Sequence, residues 1–332
     1  MRKIRVAQIG NSQTTHAAPI LEDLLKQSDV FEVLGVADVG DRHTGALPEV
    51  YDRVPKLTLD ELWDLPDLDG VIIECDEDKQ TQYALMAAER GIPIQMDKPG
   101  SESDEEYDRL LDLVEKKGIP FRVSYMYRTN PSVQYALDAV KRGELGDVYC
   151  VEGQMNTYHS ASFRNAYQYY HGGIMFYLGC HMVDILYSFL GEPERVIPYN
   201  TFVGEADVKS KDFGLAIFEY QNGRSIAKVS AAEYGGAPNR RSIVICGTKG
   251  TIEIRPIEYP VGNGLNQSDV VRTYADEHQE TITFGPYGRY TEMLADFAAI
   301  LRGEKVFDKE QYAYERMVHK LVLKACDVSV KG

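Results

Sequence analysis

The hydrophobic pattern of the first 124 residues alternates between short apolar runs and longer segments that are apolar on one helical face. Short, near-continuous apolar runs are typical of parallel strands buried on both faces. We predict strands at Ile4–Ile9, Phe31–Ala37, Val71–Ile73, Ile92–Met96 and Phe121–Tyr125. We predict helices at His16–Lys26, Thr81–Arg90 and Ser103–Lys117, and a short helix opened by a capping box at Thr58–Glu61. This alternation predicts an α/β fold with a doubly wound parallel sheet.

The hydrophobic pattern changes after Tyr125, where long segments alternate between polar and apolar residues. Such alternation is typical of antiparallel strands with one face on the core. The strand candidates are Val148–Tyr158, Phe213–Tyr220, Ser225–Glu233, Arg241–Cys246 and Gly250–Ile254. The helix candidates are Ser132–Arg142, Ile174–Leu190, Tyr290–Arg302 and Tyr312–Val328. We therefore predict two domains, 1–125 and 126–332, the second an α+β domain with a large, mostly antiparallel open sheet.

The amino-acid composition limits the kinds of partner that this chain is expected to bind. A chain of 332 residues is comfortable for two domains. Its 51 acidic and 36 basic side chains give a formal charge of −15, which argues against nucleic acid or an anionic membrane as partner. The five cysteines are odd in number and show no CxxC spacing, so we expect no disulfide framework or zinc site, and a reducing, cytoplasmic location. No apolar run reaches membrane-spanning length.

The turn after the first predicted strand is the first place to look for a cofactor, because open α/β sheets bind ligands at the carboxyl ends of their strands. A pyrophosphate can use the free N–H groups of a helix start. Of the dinucleotide fingerprint GxGxxG only Gly10 is present, followed by Asn11, Ser12 and Thr15. The alternative is a capped helix that binds nothing.

A single aspartate and an acidic run both affect which cofactor the first domain is expected to bind. Asp38, at the end of the second strand, can accept hydrogen bonds from ribose hydroxyls and repel a 2′-phosphate, which favours NAD over NADP; Arg42 could reverse this preference. The run Glu74–Asp78 contains four carboxylates in five residues, which should weaken pyrophosphate binding. A metal site is the alternative there, but we favour stabilisation of the following helix dipole.

Two further regions carry candidate chemistry. Lys98 follows a strand, so its ammonium can polarise a carbonyl or hydroxyl oxygen. The segment 159–184 is rich in tyrosine and histidine, residue types that suit sugars and proton transfer. On a helix, Tyr177, His181 and Asp184 would share one face; the alternative is a hydrogen-bonded core pair of Tyr177 and His181. The histidines match no strong metal template, and we predict no metal.

Taken together, these motifs resemble the Gfo/Idh/MocA family of oxidoreductases, which includes glucose–fructose oxidoreductase and inositol dehydrogenase. Five motifs follow the family's order along the whole chain. They are Asp97-Lys98-Pro99, Tyr127-Arg128-Thr129-Asn130-Pro131, Gly143-Glu144-Leu145-Gly146, Gly172-Gly173 followed by Gly179-x-His181-x-x-Asp184, and Gly247-Thr248-Lys249-Gly250.

The resemblance implies a Rossmann domain that binds NAD, or possibly NADP, and a second domain that binds a carbohydrate-like substrate and forms a homodimer or homotetramer through its open sheet. It implies reversible hydride transfer at a carbinol carbon, with Lys98 polarising the reacting oxygen and His181 accepting the proton. Tyr177 stands where the family has an aspartate, and its phenol can itself donate or accept a proton. The expected cofactor contacts are Gly10, Asn11, Ser12, Thr15, Asp38, Arg42, Cys75, Asp76, Gln80, Lys98 and Arg128. The expected substrate contacts are Lys98, His159, Arg164, Tyr177 and His181.

Three departures from the family pattern concern this site. The glycine loop is shorter and has lost its later glycines, a Thr-Pro-Asn-x-x-His stretch becomes Cys75–Gln80, and the aspartate four residues before the catalytic histidine is Tyr177. They leave two alternatives to a dehydrogenase open. One is a non-redox lyase or hydrolase on the same scaffold, and the other is an inactive regulatory protein that binds sugar or dinucleotide.

Overall fold

Packing divides the chain into two units in a computed structural model that describes residues 2–43 and 45–330. The first unit is Met1–Tyr125 with Tyr290–Arg316, and the second is Met126–Arg289 with Met317–Gly332. The first unit therefore contains a later segment that the division into 1–125 and 126–332 did not foresee.

The first unit is built on a six-stranded parallel sheet. Its strands are β1 (Ile4–Ile9), β2 (Phe31–Ala37), β3 (Lys56–Leu57), β4 (Gly70–Ile73), β5 (Ile94–Met96) and β6 (Phe121–Val123). Its first helices are α1 (Ala17–Lys26), α2 (Leu59–Trp63), α3 (Gln80–Glu89) and α4 (Asp104–Lys117), with a 3₁₀ turn at Glu49–Arg53. The strand order β3-β2-β1-β4-β5-β6 confirms the predicted α/β fold and sets the loops after β1, β4 and β5 side by side.

Local signals explain several of the boundaries. The capping box before α2 is present, because the Thr58 side chain accepts from the Glu61 N–H while the Glu61 carboxylate accepts from the Thr58 N–H. Ser103 caps α4, and Gly118 ends it in the left-handed conformation with φ of 65°.

The second unit contains a nine-stranded sheet that is antiparallel except where β7 and β10 run parallel. Its strands are β7 (Val148–Asn156), β8 (Arg195–Thr201), β9 (Phe213–Tyr220), β10 (Gly223–Ser230), β11 (Arg241–Gly247), β12 (Gly250–Ile254), β13 (Tyr259–Gly262), β14 (Leu265–Tyr274) and β15 (Gln279–Gly288). The strand order is β13-β14-β12-β11-β7-β10-β9-β8, and β15 pairs with β14. The predicted mostly antiparallel sheet is confirmed, although β8 and β13–β15 were not foreseen.

The second unit also contains helices. They are α5 (Pro131–Lys141), α6 (Ala161–Arg164) and α7 (Cys180–Leu190), with 3₁₀ turns at Met126–Thr129 and Asn165–Tyr169 and a π-helical segment at Met175–Gly179. Gly153 of β7 lies against α7, because a Cβ placed on it would be 3.0 Å from Met182. The predicted helix Ile174–Leu190 is confirmed as a continuous helical stretch. Its segment Met175–Gly179 is π-helical, however, so Tyr177 and His181 do not have the spacing of a regular α-helical face.

The C-terminal helices are α8 (Thr291–Leu301) and α9 (Lys309–Ala325). Helix α8 and the start of α9 belong to the first unit. The Tyr312 hydroxyl donates to the Ile119 carbonyl at 2.8 Å, and the Thr291 hydroxyl donates to Asp23 at 2.9 Å. Among the described residues, none of the helices combines the length and apolarity needed to cross a bilayer.

A fully buried ion pair stabilises the second unit. Arg164 and Asp212 are both 0% exposed, and Nη1 of Arg164 donates to the Asp212 carboxylate at 2.8 Å. The other terminal nitrogen of Arg164 pairs with Glu205, whose side chain is 52% exposed. Arg164, which we predicted to contact the substrate, thus forms two ion pairs within the second unit.

Removing the Asp212 carboxylate is expected to destabilise the second unit strongly, because Arg164 would lose its enclosed counter-ion. We expect Asp212→Ala to lower the free energy of unfolding by about 3–5 kcal/mol. Urea denaturation followed by circular dichroism measures the change. Glu205→Ala is the matched control, since an exposed partner contributes about 0–1 kcal/mol. Equal losses of unfolding free energy in the two variants would show that the buried Arg164–Asp212 pair contributes no more to stability than the exposed pair with Glu205.

Candidate functional site

The loops that follow β1 and β4 touch at Gly10. This glycine has φ of +92°, and a Cβ placed on it would lie 2.4 Å from the backbone N and Cα of Cys75. Only glycine therefore allows this close approach. Cys75 and Gln80, which we expected to contact a cofactor, have fully buried side chains. The Gln80 amide donates to the Cys75 carbonyl at 3.3 Å, so both residues support the loop from beneath.

A carboxylate joins the same two loops. The side chain of Asp41 accepts from the backbone N–H of Asn11 and from that of Asp76, each at 2.8 Å. Burial raises the pKa of Asp41, while these two hydrogen bonds oppose the rise. Sequence analysis did not single out Asp41, since it lies in an irregular segment and its partners are 30 and 35 residues away.

The acidic run after β4 bonds to the hydroxyl groups after β1. Ser12 donates to Asp76 at 2.7 Å, and Thr14 donates to Glu77 at 3.0 Å. Helix α3 has no side-chain hydrogen bond at its N-cap. The side chains of Asp76 and Glu77 bind the neighbouring loop, and our interpretation of the run as a support for the helix dipole stays a prediction. Thr15 likewise donates to the Glu74 carbonyl at 3.1 Å.

Arg42 balances part of this negative charge. Its two terminal nitrogens donate to Asp78 at 2.9 and 2.7 Å, and its Nε lies 3.3 Å from the Asp76 carboxylate. The Arg42 hydrogen bonds lower the pKa of Asp78, although burial works in the opposite direction and is the largest single effect. Within the described residues, no group of three or more His, Cys, Asp or Glu side chains is arranged to hold a metal ion.

Lys98 is buried at the carboxyl end of β5, with 1% of its surface exposed. Its Nζ lies 3.9 Å from Oε1 of Glu77 and 3.8 Å from Oδ2 of Asp97. Oδ1 of Asp97 is in turn 3.0 Å from Nδ1 of His16, at the start of α1. Burial, and then the charge of Asp97, raise the pKa of Glu74 well above its usual range. The structure thus gathers Glu77, Asp97 and His16 around the predicted lysine.

A pocket of about 200 Å³ opens beside the carboxyl end of β2. Its lining combines polar groups with apolar walls: Asn11, Val36, Asp38, Leu47, Tyr51, Lys56 and Leu57. The Asp38 carboxylate accepts from the Gly40 N–H at 2.8 Å and remains exposed. Asn11 and Asp38, predicted from the sequence, therefore lie at one pocket.

His181 lies in the second unit, at the start of α7. It is 1% exposed, and its ring packs on that of Tyr127 with centroids 5.4 Å apart and planes at 61°. The Tyr127 hydroxyl donates to Glu258 at 2.9 Å, and Glu258 pairs with Arg289. Sequence analysis missed Glu258 because it follows no recognisable motif, although the motif at Tyr127 marks the other end of the contact.

Arg128, predicted to contact the cofactor, is bound to the helix that carries His181. Its Nε and Nη2 donate to one oxygen of Asp184 at 2.9 and 2.7 Å. Asp184 is buried, and the Arg128 side chain is 16% exposed. This pair fixes α7 against the turn that follows Tyr125.

Tyr177 belongs to an aromatic cluster. Its ring centroid is 5.1 Å from that of Tyr167, 6.2 Å from that of Phe163 and 6.3 Å from that of Tyr170. The Tyr167 hydroxyl is hydrogen-bonded to Nδ1 of His159. The structure therefore places His159 and Tyr177 in one cluster, while His181 packs on Tyr127.

Comparison with known proteins gives the family. Residues 4–125 match a model described as an oxidoreductase family with an NAD-binding Rossmann fold, and residues 133–253 match the GFO/IDH/MocA C-terminal domain. The chain belongs to the Gfo/Idh/MocA family of oxidoreductases.

Relatives of this Gfo/Idh/MocA protein include a xylose dehydrogenase, a hydratase and a levoglucosan dehydrogenase. The D-xylose 1-dehydrogenase (NADP(+)) 2 of Haloferax volcanii is 26% identical and aligns over 78% of this chain and 76% of its own. The 2,7-anhydro-N-acetylneuraminate hydratase of Mediterraneibacter gnavus is 24% identical over 76% of this chain and 68% of its own. A levoglucosan dehydrogenase, solved with NADH and levoglucosan, matches with a TM-score of 0.78 and 18% identity over 98% of this chain and 97% of that one.

The ring of His159 is expected to remain neutral down to acidic pH. Burial, assisted by Arg241 and Arg164, lowers the pKa of His159 to about 4. An NMR titration of the imidazole protons, with His159→Gln to assign the signal, should show one ring that titrates near pH 4.

The lowered pKa of His159 also makes the stability of the folded state depend on pH. The unfolded chain binds the His159 proton near pH 6.5, so the folded state loses stability as the pH falls from about 6.5 to about 4. His159→Gln should lose less stability across this interval, as measured by urea midpoints. A His159 signal that titrates near 6.5 would contradict both expectations.

Proposed function

We propose that this protein is an NAD(P)-dependent oxidoreductase that transfers a hydride at a carbinol or carbonyl carbon of a sugar, a polyol or a related carbohydrate. The observation that carries the proposal is the buried ammonium of Lys98, which follows β5 in the family's lysine position. The named relatives include a xylose dehydrogenase and a levoglucosan dehydrogenase, which supports a carbohydrate substrate.

The residues of the first unit fit a dinucleotide at its adenosine end. The pocket beside β2 pairs apolar walls, from Leu47, Tyr51 and Leu57, with the Asp38 carboxylate, which can accept hydrogen bonds from ribose hydroxyls. Gly10 removes the side chain that would keep the β1 loop away from its neighbour. Asn11, Ser12, Thr15 and Arg42 would hold the rest of the cofactor, which supplies the hydride acceptor or donor when bound.

Each candidate catalytic residue then has a separate task. Lys98 holds the reacting oxygen and stabilises the negative charge that develops on it. His181 accepts the hydroxyl proton during oxidation, and its contact with Tyr127 fixes its ring. Arg128 acts indirectly, because its bond to Asp184 fixes the helix that presents His181. Tyr177 adds a phenol and an aromatic surface near His159, which suits a sugar ring.

The proposal extends to assembly and location. We expect a homodimer or homotetramer formed through the open face of the nine-stranded sheet, in the cytoplasm. Tyr199 of β8 is 53% exposed, and the neighbouring Leu215 of β9 pairs with it in register. Sedimentation equilibrium of the wild-type protein measures the size of the assembly.

A thermal-shift titration with NAD, NADH, NADP and NADPH tests the proposed function directly. A ligand that binds the folded state stabilises it by about 2.7 kcal/mol at 100 times its Kd. No shift with any of the four dinucleotides would remove the redox proposal. A panel of sugars and polyols, followed at the nicotinamide absorbance, then identifies the substrate class.

Removing the Lys98 ammonium is expected to reduce turnover while dinucleotide binding persists. We expect Lys98→Ala to lower kcat by about 10²–10³-fold, the usual cost of losing one electrostatic donor at a reacting oxygen. Lys116→Ala is the matched control, since Lys116 is exposed on α4 of the same unit. Near-normal turnover in Lys98→Ala would exclude the assigned role.

Asp38 is expected to favour NAD over NADP. Its carboxylate lines the adenosine pocket and should repel a 2′-phosphate. In Asp38→Asn, the ratio of the Kd for NADP to the Kd for NAD should fall about tenfold, a change of about 1.4 kcal/mol. Asp29→Asn is the control, because Asp29 is exposed at the opposite end of β2. An unchanged ratio in Asp38→Asn would contradict the assignment.

A second candidate function is a reaction without net consumption of nicotinamide, as in a lyase or hydratase. The relative named as a 2,7-anhydro-N-acetylneuraminate hydratase favours it. The two candidates differ in one readout. A dehydrogenase changes the nicotinamide absorbance in proportion to product, whereas the alternative forms product at constant absorbance.

A further inference from the structure

We propose that Glu77 makes this site discriminate between the oxidised and the reduced nicotinamide cofactor, in favour of the oxidised form. The inference rests on the proposed function, since it requires a nicotinamide ring near Lys98. It assigns a new specificity-determining role to a residue that sequence analysis treated only as part of an acidic run.

The position of Glu77 is fixed from two sides. One carboxylate oxygen accepts the Thr14 hydroxyl at 3.0 Å, and the other lies 3.9 Å from Nζ of Lys98. Glu77 is 1% exposed. A carboxylate held in this way cannot be screened by solvent as a surface carboxylate would be. A molecule that binds beside Lys98 therefore experiences this charge, reduced by the Lys98 ammonium 3.9 Å away.

Carboxylates outnumber the ammonium at Lys98. Glu77 and Asp97 each place a carboxylate oxygen within 4 Å of the ammonium. Burial, and then the charge of Asp97, raise the pKa of the neighbouring Glu74 well above its usual range. Two carboxylates thus face one ammonium, with the imidazole of His16 on the far side of Asp97.

This balance affects the two redox forms of a nicotinamide unequally. The oxidised ring carries a positive charge and the reduced ring is neutral, whereas the pyrophosphate carries the same charge in both forms. A carboxylate near the ring therefore favours the oxidised form. A carboxylate that acts only on the pyrophosphate weakens the binding of both forms equally. At a separation of several ångströms and an effective dielectric constant near 20 to 30, one carboxylate is expected to change the preference about tenfold.

The experiment compares the dissociation constants of NAD+ and NADH for the wild type and for Glu77→Gln, by isothermal titration calorimetry. Glutamine keeps the size of the side chain and can still accept from Thr14, but it removes the charge. We expect the ratio of the Kd for NAD+ to the Kd for NADH to rise about tenfold in Glu77→Gln. Glu77→Asp, which retains the charge, should keep the ratio within about threefold of the wild type and shows whether the site tolerates a change at this position.

Glu89→Gln is the matched control, since it removes one carboxylate from an exposed position on α3 of the same unit. Its ratio should equal that of the wild type. An equal change in both dissociation constants in Glu77→Gln would overturn the inference, because it would mean that Glu77 acts on the pyrophosphate alone. Absence of binding of either dinucleotide to the wild type would instead overturn the proposed function.

Discussion

The contact between Gly10 and the backbone of Cys75 is the constraint on which the rest of the first unit depends. Because no side chain can fit there, the loop after β1 lies directly on the loop after β4. The parallel order of β1, β4 and β5 then places Lys98 next to the same loops. Carboxylates and hydroxyls that are more than 60 residues apart in sequence meet as a consequence.

The sequence predicted the fold best where strands are buried on both faces of the sheet. Strand β4 is covered on both faces and has no polar side chain, and β1 has four apolar residues out of six, so both strands are recognisable in the sequence. By contrast, β15 has mostly exposed or half-buried positions, and its composition resembles a loop. The π-helical turn at Met175–Gly179 was equally invisible, since a pattern of apolar residues does not distinguish one helical period from a slightly wider one over a single turn.

The candidate site was predictable only in part, for a related reason. Motifs located Gly10, Lys98 and His181, because each is tied to the end or start of a regular element. Partners across loops have no local signal. Asp41 and Glu258 could be found only once the chain was folded. The ion pair of Arg164 with Asp212 likewise cannot be inferred from the residues around either one in the sequence.

In the first unit, the two departures from the family pattern concern residues that contact each other. The loop that lost its later glycines gained the hydroxyls of Ser12 and Thr14, and the stretch that lost Thr-Pro-Asn gained Asp76 and Glu77. The structure pairs them, Ser12 with Asp76 and Thr14 with Glu77. A buried hydroxyl without an acceptor costs free energy, and so does a buried carboxylate without a donor. The hydroxyls and the carboxylates therefore satisfy each other, and together they give a loop that is held by side-chain hydrogen bonds, with Glu77 also beside Lys98.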